Sequence, residues 1–224
     1  MLGAHETLFL HLLLNRFSIV CLAAVIFSNL SFRREVSPLR IESHHTKSDD
    51  LGNPRVYTIE LHQDDPAKCT SAKMRKLGLA SKITPQRISR YAIVLNPFAQ
   101  VTLRGSDRDT ALTGGLVVID CSWVTASHTF ERRYRGNQRR LPALMAGNPT
   151  NYSKLGNLSS LEAAAGALYI MNFFDLARKL LNAYKWGDTF LSLNQEVLDE
   201  YSSAKDEDDI AHIEESYFPT RTRM

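Results

Sequence analysis

LVVIDCSW, residues 116–123, is the stretch that decides the fold. It begins with an uninterrupted apolar run rich in β-branched residues, and Asp120 follows at once. A short run of this kind is typical of a strand buried on both faces of a parallel sheet. In such sheets ligands bind outside the carboxyl ends of the strands. We therefore expect an α/β protein with Asp120 at the ligand crevice, the alternative being that Asp120 only caps a following helix.

Three more segments continue the strand pattern on either side. Arg55–Leu61 alternates in the manner of a strand, and Tyr91–Leu95 is a second continuous apolar run. Leu141–Ala146 is either a fourth strand or a short buried segment. The dipeptide Asn-Pro follows the second and third of these segments, at 96–97 and 148–149. If the strands are parallel neighbours, these loops converge on one crevice, although Asn-Pro alone is equally typical of a simple turn.

The chain between and after the strands has a helical pattern. One helix is predicted from Ser71 to about Gly78, before the second apolar run. From residue 159 onward, Ser159–Glu162 matches a capping box and opens a helix that continues to Ile170. Two further helices are predicted, Asp175–Tyr184 and one from about residue 188 to Tyr201. Beyond residue 205 the chain is acidic and then basic, and we expect a solvated tail.

Two features could bind anions. The helix start at Ser159–Ser160 offers unpaired N–H groups to a carboxylate or phosphate, although capping alone also explains the serines. The segment 131–140 (ERRYRGNQRR) interleaves five arginines with a tyrosine. Arginines contact phosphates and aromatic rings stack on bases, so this segment is a candidate RNA contact or else a solvated loop. Lys73, Arg75, Lys76 and Lys82 could extend the same surface.

Composition limits the remaining possibilities. A chain of 224 residues that is 44% hydrophobic can bury the core of one domain or of two small ones. Its net charge of +3 permits a polyanionic partner without requiring one. Cys21, Cys69 and Cys121 are odd in number and far apart, so neither disulfides nor a metal site is expected, and the pattern favours a reduced, cytoplasmic protein. The fingerprints of Rossmann dehydrogenases, P-loop NTPases, zinc proteases and serine hydrolases are all missing.

The first fifty residues differ from the rest of the chain. Residues 8–30 are strongly apolar, with an uninterrupted core at Phe17–Phe27, but His11, Asn15 and Arg16 interrupt what would be a membrane span. No basic region precedes it as in a signal peptide. A wrongly assigned upstream start, an anchor or targeting segment, and an additional helix remain as interpretations. Residues 32–50 are polar and are expected to be disordered.

Several segments together resemble the small-subunit rRNA aminocarboxypropyltransferases, which have a SPOUT-like fold. The resemblance is collinear from about residue 55 to 201. It is carried by DDPAKCTSAKMRKLGL (64–79), LNPFA (95–99), GLVVIDCSW (115–123), LPALMAGNPTNYSKLGNLSSLEA (141–163) and KWGDTFLSLNQEVLDEY (185–201). The chain departs from the family pattern at NPTNYS and LSSLEA, where Ser153 and Ser160 replace more usual residues. The apolar N-terminus has no counterpart in the family.

The resemblance implies a knotted parallel sheet with helices, followed by a mainly helical C-terminal half. It divides the chain into an extension (1–50), an α/β domain with the crevice (51–150), a helical part completing the cofactor site (151–205) and a charged tail (206–224). It also implies transfer of the 3-amino-3-carboxypropyl group of S-adenosylmethionine (SAM) to N3 of a pseudouridine, with release of methylthioadenosine. No metal is implied. The expected partner is small-subunit rRNA or a pre-ribosomal particle, bound by a monomer without stable membrane association.

The resemblance further assigns the site residues. Asp120 would lie beside the uracil N3–H as a base or an orienting group. Seven residues would bind SAM, by side chain or by backbone: Thr70, Leu95, Pro97, Trp123, Leu144, Leu158 and Ser160. Eight residues would bind RNA: Lys73, Arg75, Lys76, Arg132, Arg133, Arg135, Arg139 and Arg140. Two other classes of function stay open, namely a non-catalytic RNA-binding ribosome-assembly factor and a SPOUT-type RNA methyltransferase. The retained pocket residues argue against the first of these and the apolar methyl pocket against the second.

Overall fold

Five parallel strands form the sheet that positions the site. The structure is a computed structural model, and it describes residues 52–61, 70–121, 129–130 and 134–219. The strands are β1 (Val56–Glu60), β2 (Ser81–Lys82), β3 (Ile93–Leu95), β4 (Leu116–Asp120) and β5 (Asn137–Arg139). Their order across the sheet is β2-β1-β4-β3-β5. All pairings are parallel, with Val56 opposite Leu116 and Ile93 also opposite Leu116.

The central strands confirm the three apolar strand predictions, and both faces of the sheet are covered as predicted. Leu95, Leu116 and Val118 join the large core on one face, while Val117 and Ile119 join a smaller apolar cluster on the other. β4 is buried throughout except for Asp120 at its end. Because both faces are buried, the strand carries a continuous apolar run rather than an alternating one.

The two edge strands were not predicted. β2 has only two residues, and β5 lies inside the arginine-rich segment, for which an RNA contact and a solvated loop are the two sequence-based alternatives. Backbone pairing with β3 holds β5 in place, with Val94 opposite Gln138. Leu141–Ala146 forms no strand of the sheet and is a short buried segment, the second of the two alternatives, with Leu144 and Ala146 fully buried.

Among the described residues there are six α-helices. They are α1 (Thr70–Lys76), α2 (Arg108–Gly114), α3 (Ser160–Ile170), α4 (Phe174–Leu181), α5 (Gly187–Ser203) and α6 (Glu207–Tyr217). α3 is the central one, since nine of its eleven residues are buried and it contacts β4, α1, α4 and α5. A helix that is buried on all sides needs apolar residues around its whole circumference, which explains the run AAAGALYI.

The C-terminal segment was expected to be a solvated tail, and for residues 207–217 this prediction is wrong. The segment forms α6, with Ile210 fully buried in the main core. The Glu207 carboxylate accepts hydrogen bonds from the backbone N and the hydroxyl of Thr102, at 3.2 and 2.9 Å. The Glu214 carboxylate accepts one from the Ala143 backbone N at 2.6 Å. The acidic residues therefore attach this helix to the loops that follow β3 and β5.

Glu207 gives this attachment a dependence on pH. The hydrogen bond from the Thr102 hydroxyl is the main cause that lowers the pKa of Glu207 below its usual 4.5. Desolvation, the next largest effect, opposes it, and the Thr102 backbone and nearby arginines lower the pKa further. A lowered folded-state pKa contributes stability above the unfolded pKa, and this stability is lost as the pH falls through the folded pKa. Because the carboxylate is exposed, Glu207→Gln should lower the free energy of unfolding at pH 7 by less than about 1 kcal/mol. Urea unfolding at pH 7 and pH 3 should show the difference from wild type shrinking at the lower pH; a difference that grew on acidification would contradict it.

The described helices include none that is long and apolar enough to cross a bilayer. The apolar segment 8–30, the predicted extension 1–50 and the last residues of the predicted tail lie outside the described residues. The knot implied by the resemblance stays a prediction.

Candidate functional site

The end of β4 and the start of α3 meet at the predicted site. Asp120 is the last residue of β4 and Ser160 is the first of α3. The Ser160 hydroxyl donates a hydrogen bond of 2.5 Å to Asp120 Oδ1. Two residues that are 40 positions apart, one predicted to be catalytic and the other to bind a cofactor, are thus in direct contact.

The start of α3 carries the predicted capping box. The Ser159 side chain accepts a hydrogen bond from Glu162 N, and Ser159 N donates to Glu162 Oε2 at 2.7 Å. These bonds satisfy two backbone groups at the helix start. The backbone N–H groups of Ser160 and Leu161, as at any helix start, have no acceptor within the helix. They mark a place where an anionic ligand would be stabilised next to Asp120.

Glu162 does more than cap α3. Glu162 is fully buried, and its two carboxylate oxygens accept four hydrogen bonds. Besides Ser159 N, the donors are Gly147 N at 2.7 Å, Asn148 N at 2.9 Å and Asn148 Nδ2 at 2.7 Å. A buried carboxylate is tolerated when its lone pairs are filled in this way. Glu162 therefore fixes the loop after Ala146 to the helix start. The capping-box pattern pointed to this residue, but nothing local in the sequence pointed to the loop.

Gly147 brings the same loop against the backbone of α5. A Cβ built on Gly147 would lie 2.6 Å from Phe190 N and 2.7 Å from Phe190 Cα. Real side chains do not approach a backbone that closely, so only glycine permits the contact. The loop is thus held by Glu162 on one side and by α5 on the other.

The two leucines whose backbone was predicted to read adenine lie on the segment that leads into α3. Leu144 and Leu158 are both buried. Gly156 N donates to Leu144 O at 2.9 Å, and Leu158 N donates to Gly156 O at 2.9 Å. Met145, which follows Leu144, is fixed by Asn194 of α5. Asn194 Oδ1 accepts a hydrogen bond from Met145 N, and Asn194 Nδ2 donates one to Met145 O. The segment is rigidly held beside the helix start.

The predicted apolar pocket is partly described. Leu95 is buried at the end of β3, and Pro97 is exposed in the turn that follows. Thr70 is the first residue of α1, a helix that packs on both β1 and α3. Trp123 lies outside the described residues. Leu95 ends β3, which pairs with β4, and Ser160 bonds Asp120 at the end of β4.

A second carboxylate lies beside Asp120, and the sequence did not mark it. Glu60, the last residue of β1, pairs in register with Asp120. Its side chain is only 4% exposed and forms ion pairs with Arg75 Nε at 3.2 Å and Lys82 Nζ at 3.1 Å. These two cations offset the charge of Glu60. The edge of the sheet can therefore hold two carboxylates on adjacent strands.

Two of the predicted RNA-binding arginines in the segment 131–140 have partners within the chain. The Arg139 guanidinium, on β5, bonds both oxygens of the buried Asp107, with its shortest contact at 2.9 Å. Arg140 NH1 lies 3.6 Å from the Glu214 carboxylate. Of the two alternatives for this segment, the solvated loop does not hold for residues 137–139, because they form a strand whose end is fixed by ion pairs. Arg135 is exposed, while Arg132 and Arg133 lie outside the described residues.

The basic residues of α1 differ in their surroundings. Lys73 Nζ lies 3.6 Å from the centroid of the Tyr184 ring, a cation–π contact. Arg75 pairs with Glu60. Lys76 is exposed at the end of the helix. The exposed cations Lys76 and Arg135 are thus the described members of the predicted set best placed to meet a phosphate.

A cavity of about 320 Å³ opens on the side of the sheet away from Ser160. It is lined by Tyr57, Lys82, Ile83, Arg87, Ser89, Gly114 and Val117. Of the residues predicted to bind SAM or RNA, only Lys82, offered as an extension of the RNA-binding surface, is among the described residues that line it. Within the part of the chain that the structure describes, no cluster of three or more His, Cys, Asp or Glu side chains could hold a metal ion.

Comparison with known proteins identifies relatives that match most of the chain. A family model described as "Ribosome biogenesis protein, C-terminal" matches residues 93–218. The 16S rRNA aminocarboxypropyltransferase of Saccharolobus islandicus is 46% identical over 160 residues, which cover 71% of this chain and 93% of the relative. The enzyme of the same name from Methanocaldococcus jannaschii is 38% identical, over 73% of this chain and 96% of its own.

A solved structure agrees with these relatives. The SAM-dependent rRNA:acp-transferase Tsr3 from Vulcanisaeta distributa superposes with a TM-score of 0.68 at 40% identity, covering 73% of this chain and 88% of that one. A second family model, described as a possible Fer4-like domain in RNase L inhibitor, matches residues 54–84. That segment contains one cysteine, Cys69, whereas an iron–sulfur cluster is held by four ligands, so its residues do not fit such a cluster.

Proposed function

This chain belongs to the family of SAM-dependent rRNA aminocarboxypropyltransferases, and from that premise we propose that it transfers the 3-amino-3-carboxypropyl group to N3 of a pseudouridine in small-subunit rRNA. The contact between Asp120 and Ser160 is the observation that carries the proposal. Asp120 offers a carboxylate that can accept a hydrogen bond from the nucleobase. Ser160 begins a helix whose N-terminus can bind the amino-acid end of SAM, and the contact brings the two together.

The residues present fit SAM. The first-turn N–H groups of α3 suit the carboxylate of the methionine moiety, as helix starts bind anions generally. The Ser160 hydroxyl has one proton, which it donates to Asp120, so its oxygen keeps lone pairs for an ammonium donor. Buried Leu95 supplies apolar surface at the end of the neighbouring strand. When bound, SAM supplies a sulfonium whose attached carbons are electrophilic and whose thioether leaves without needing a proton.

The chemistry left to the protein is orientation. A new bond forms between the uracil N3 and the Cγ of the methionine moiety, the bond from sulfur to Cγ breaks, and the N3 proton is released to solvent. Which carbon reacts depends on which one faces N3 in line, so positioning decides the product. Asp120 would accept the hydrogen bond from N3–H and so fix the base. A carboxylate is a weak base toward so weak an acid, and we assign Asp120 mainly this orienting role.

Exposed cations of the predicted set would add to RNA binding. Lys76 and Arg135 are exposed, and such side chains supply the salt-dependent, sequence-independent part of RNA binding. We leave Arg139 and Arg140 out of the proposed contact set because each bonds a carboxylate of the chain. The proposed substrate is small-subunit rRNA or a pre-ribosomal particle, on which we propose that the chain acts as a monomer.

The test supplies SAM labelled in either its methyl or its aminocarboxypropyl carbons to the full chain with a small-subunit rRNA fragment. We expect only the aminocarboxypropyl label to enter the RNA, with one methylthioadenosine released per transfer. A matched fragment with uridine in place of pseudouridine should stay unlabelled. Methyl label in the RNA would instead identify an RNA methyltransferase, and RNA binding without label would favour an assembly factor.

A further inference from the structure

Two turns of the same design border the site. Each begins with an Asn-Pro dipeptide, at Asn96 and at Asn148, and both asparagine side chains are buried. Asn96 Oδ1 accepts a hydrogen bond from Phe98 N at 2.9 Å, and Asn148 Oδ1 accepts one from Asn151 N at 3.0 Å. The other end of each carboxamide is held as well, by Gln138 in the first turn and by Glu162 in the second. Both turns are therefore fixed from inside the protein.

Each turn presents an aromatic ring to solvent. Phe98 is 56% exposed and Tyr152 is 58% exposed. A single exposed apolar residue is ordinary on a protein surface. Here, however, two rings stand on turns that are held by buried hydrogen bonds. The Phe98 ring also has Phe130 at its side, with ring centroids 6.1 Å apart. Both rings are thus held in defined positions, although exposing aromatic surface to water is unfavourable.

The turns lie on either side of Asp120. The first follows β3, which pairs directly with β4, the strand that ends at Asp120. The second is bonded to Glu162 on α3, the helix whose first residue bonds Asp120. The two turns are therefore each connected to the element that carries Asp120 or bonds it, one through the sheet and one through the helix start.

We propose that Phe98 and Tyr152 are stacking platforms for unpaired bases of the RNA next to the target nucleotide. An enzyme that reacts with a base must take it out of its stack, and its neighbours then lose stacking partners. Aromatic side chains replace those partners in single-stranded RNA recognition. Exposed Lys154, two residues after Tyr152, is placed to meet a phosphate of the same strand. The inference rests on the proposed function, because it requires an RNA substrate.

The test compares Phe98→Leu and Tyr152→Leu, which keep apolar bulk but remove the ring, with Phe98→Tyr and Tyr152→Phe, which keep it. Tyr91→Leu is the matched control, because Tyr91 is 47% exposed but precedes β3, at the opposite end of that strand from Phe98. The dissociation constant for a single-stranded rRNA fragment is measured by fluorescence anisotropy at one fixed salt concentration, and SAM affinity by calorimetry. Each Leu variant should raise the RNA dissociation constant about tenfold, and the ring-keeping variants less than about threefold. SAM affinity and thermal midpoint should not change.

Two outcomes would overturn the inference. The Leu variants could bind RNA as tightly as wild type, or they could lose no more affinity than Tyr91→Leu. Wild-type transfer of the aminocarboxypropyl label is measured in the same preparation. If wild type transfers the label and the Leu variants bind normally, only the stacking role fails. If wild type transfers nothing to RNA, the proposed function itself fails.

Discussion

Glu162→Ala should lower the free energy of unfolding by about 4 kcal/mol or more. The substitution removes the acceptor of four N–H groups around a fully buried position and leaves a cavity there. Each buried donor left without an acceptor costs about 1–3 kcal/mol, and water entering the cavity would recover part of the sum. Urea unfolding with one midpoint and an unchanged slope would measure the loss.

Glu162→Gln separates the role of the charge from that of the shape. Glutamine has nearly the same volume as glutamate, but its NH₂ group would face N–H donors whose hydrogen bonds it cannot accept. We therefore expect an intermediate loss of about 2 kcal/mol in the free energy of unfolding. Glu215→Ala is the matched control because Glu215 is exposed on α6, and its effect should stay within about 0.5 kcal/mol. SAM affinity should fall for both Glu162 variants, since the helix start and the loop after Ala146 lose their common anchor. An alanine variant within 1 kcal/mol of wild type would show that the loop is held by other contacts.

Asp120→Asn should reduce the rate of aminocarboxypropyl transfer by about 10²- to 10⁴-fold while leaving SAM affinity within a few-fold of wild type. Asparagine has the same size and can still accept the bond from Ser160 with its carbonyl oxygen. It cannot offer a second, charged oxygen to N3–H, and its NH₂ group would repel that donor. Single-turnover transfer measures the rate and calorimetry measures SAM binding.

Asp109→Asn provides the control for this second substitution, since Asp109 is an exposed carboxylate on α2 and should not affect transfer. The pH dependence distinguishes the two roles open to Asp120. An orienting group leaves the residual rate of the variant rising with pH in parallel with wild type, whereas a base gives wild type an inflection that the variant lacks. Full transfer activity in Asp120→Asn would remove Asp120 from the mechanism.

The site residues could be predicted one by one, but not their contacts. Asp120 was predictable because a buried strand ends there, and Ser160 because the capping box opens a helix. That the two side chains touch depends on α3 packing against β4, which no local pattern encodes. The same holds for Glu162, whose cap was visible in the sequence and whose bonds to Gly147 and Asn148 were not.

The errors have a similar origin. Asn137–Arg139 has little intrinsic preference for a strand, and backbone pairing with β3 decides its conformation. Arg139 is predicted from the sequence to bind RNA, and its ion pair with Asp107 is not visible there because Asp107 is 32 residues away. The acidic segment 207–217 was read as a tail because most of its residues are exposed, and Ile210 alone among them is buried. In each case a tertiary contact outweighed the composition of the segment.

The all-parallel sheet has a consequence for how the chain folds. Parallel pairing brings together residues far apart in sequence, such as Val56 and Leu116, and contacts of this kind form slowly because a long loop must close first. During synthesis, at about 5–20 residues per second, the 40 residues between Asp120 and Ser160 take about 2–8 seconds to appear. A nascent chain that has completed β4 must therefore keep an apolar sheet face uncovered until α3 emerges. We expect this interval to be the stage of biogenesis at which the protein depends most on chaperones.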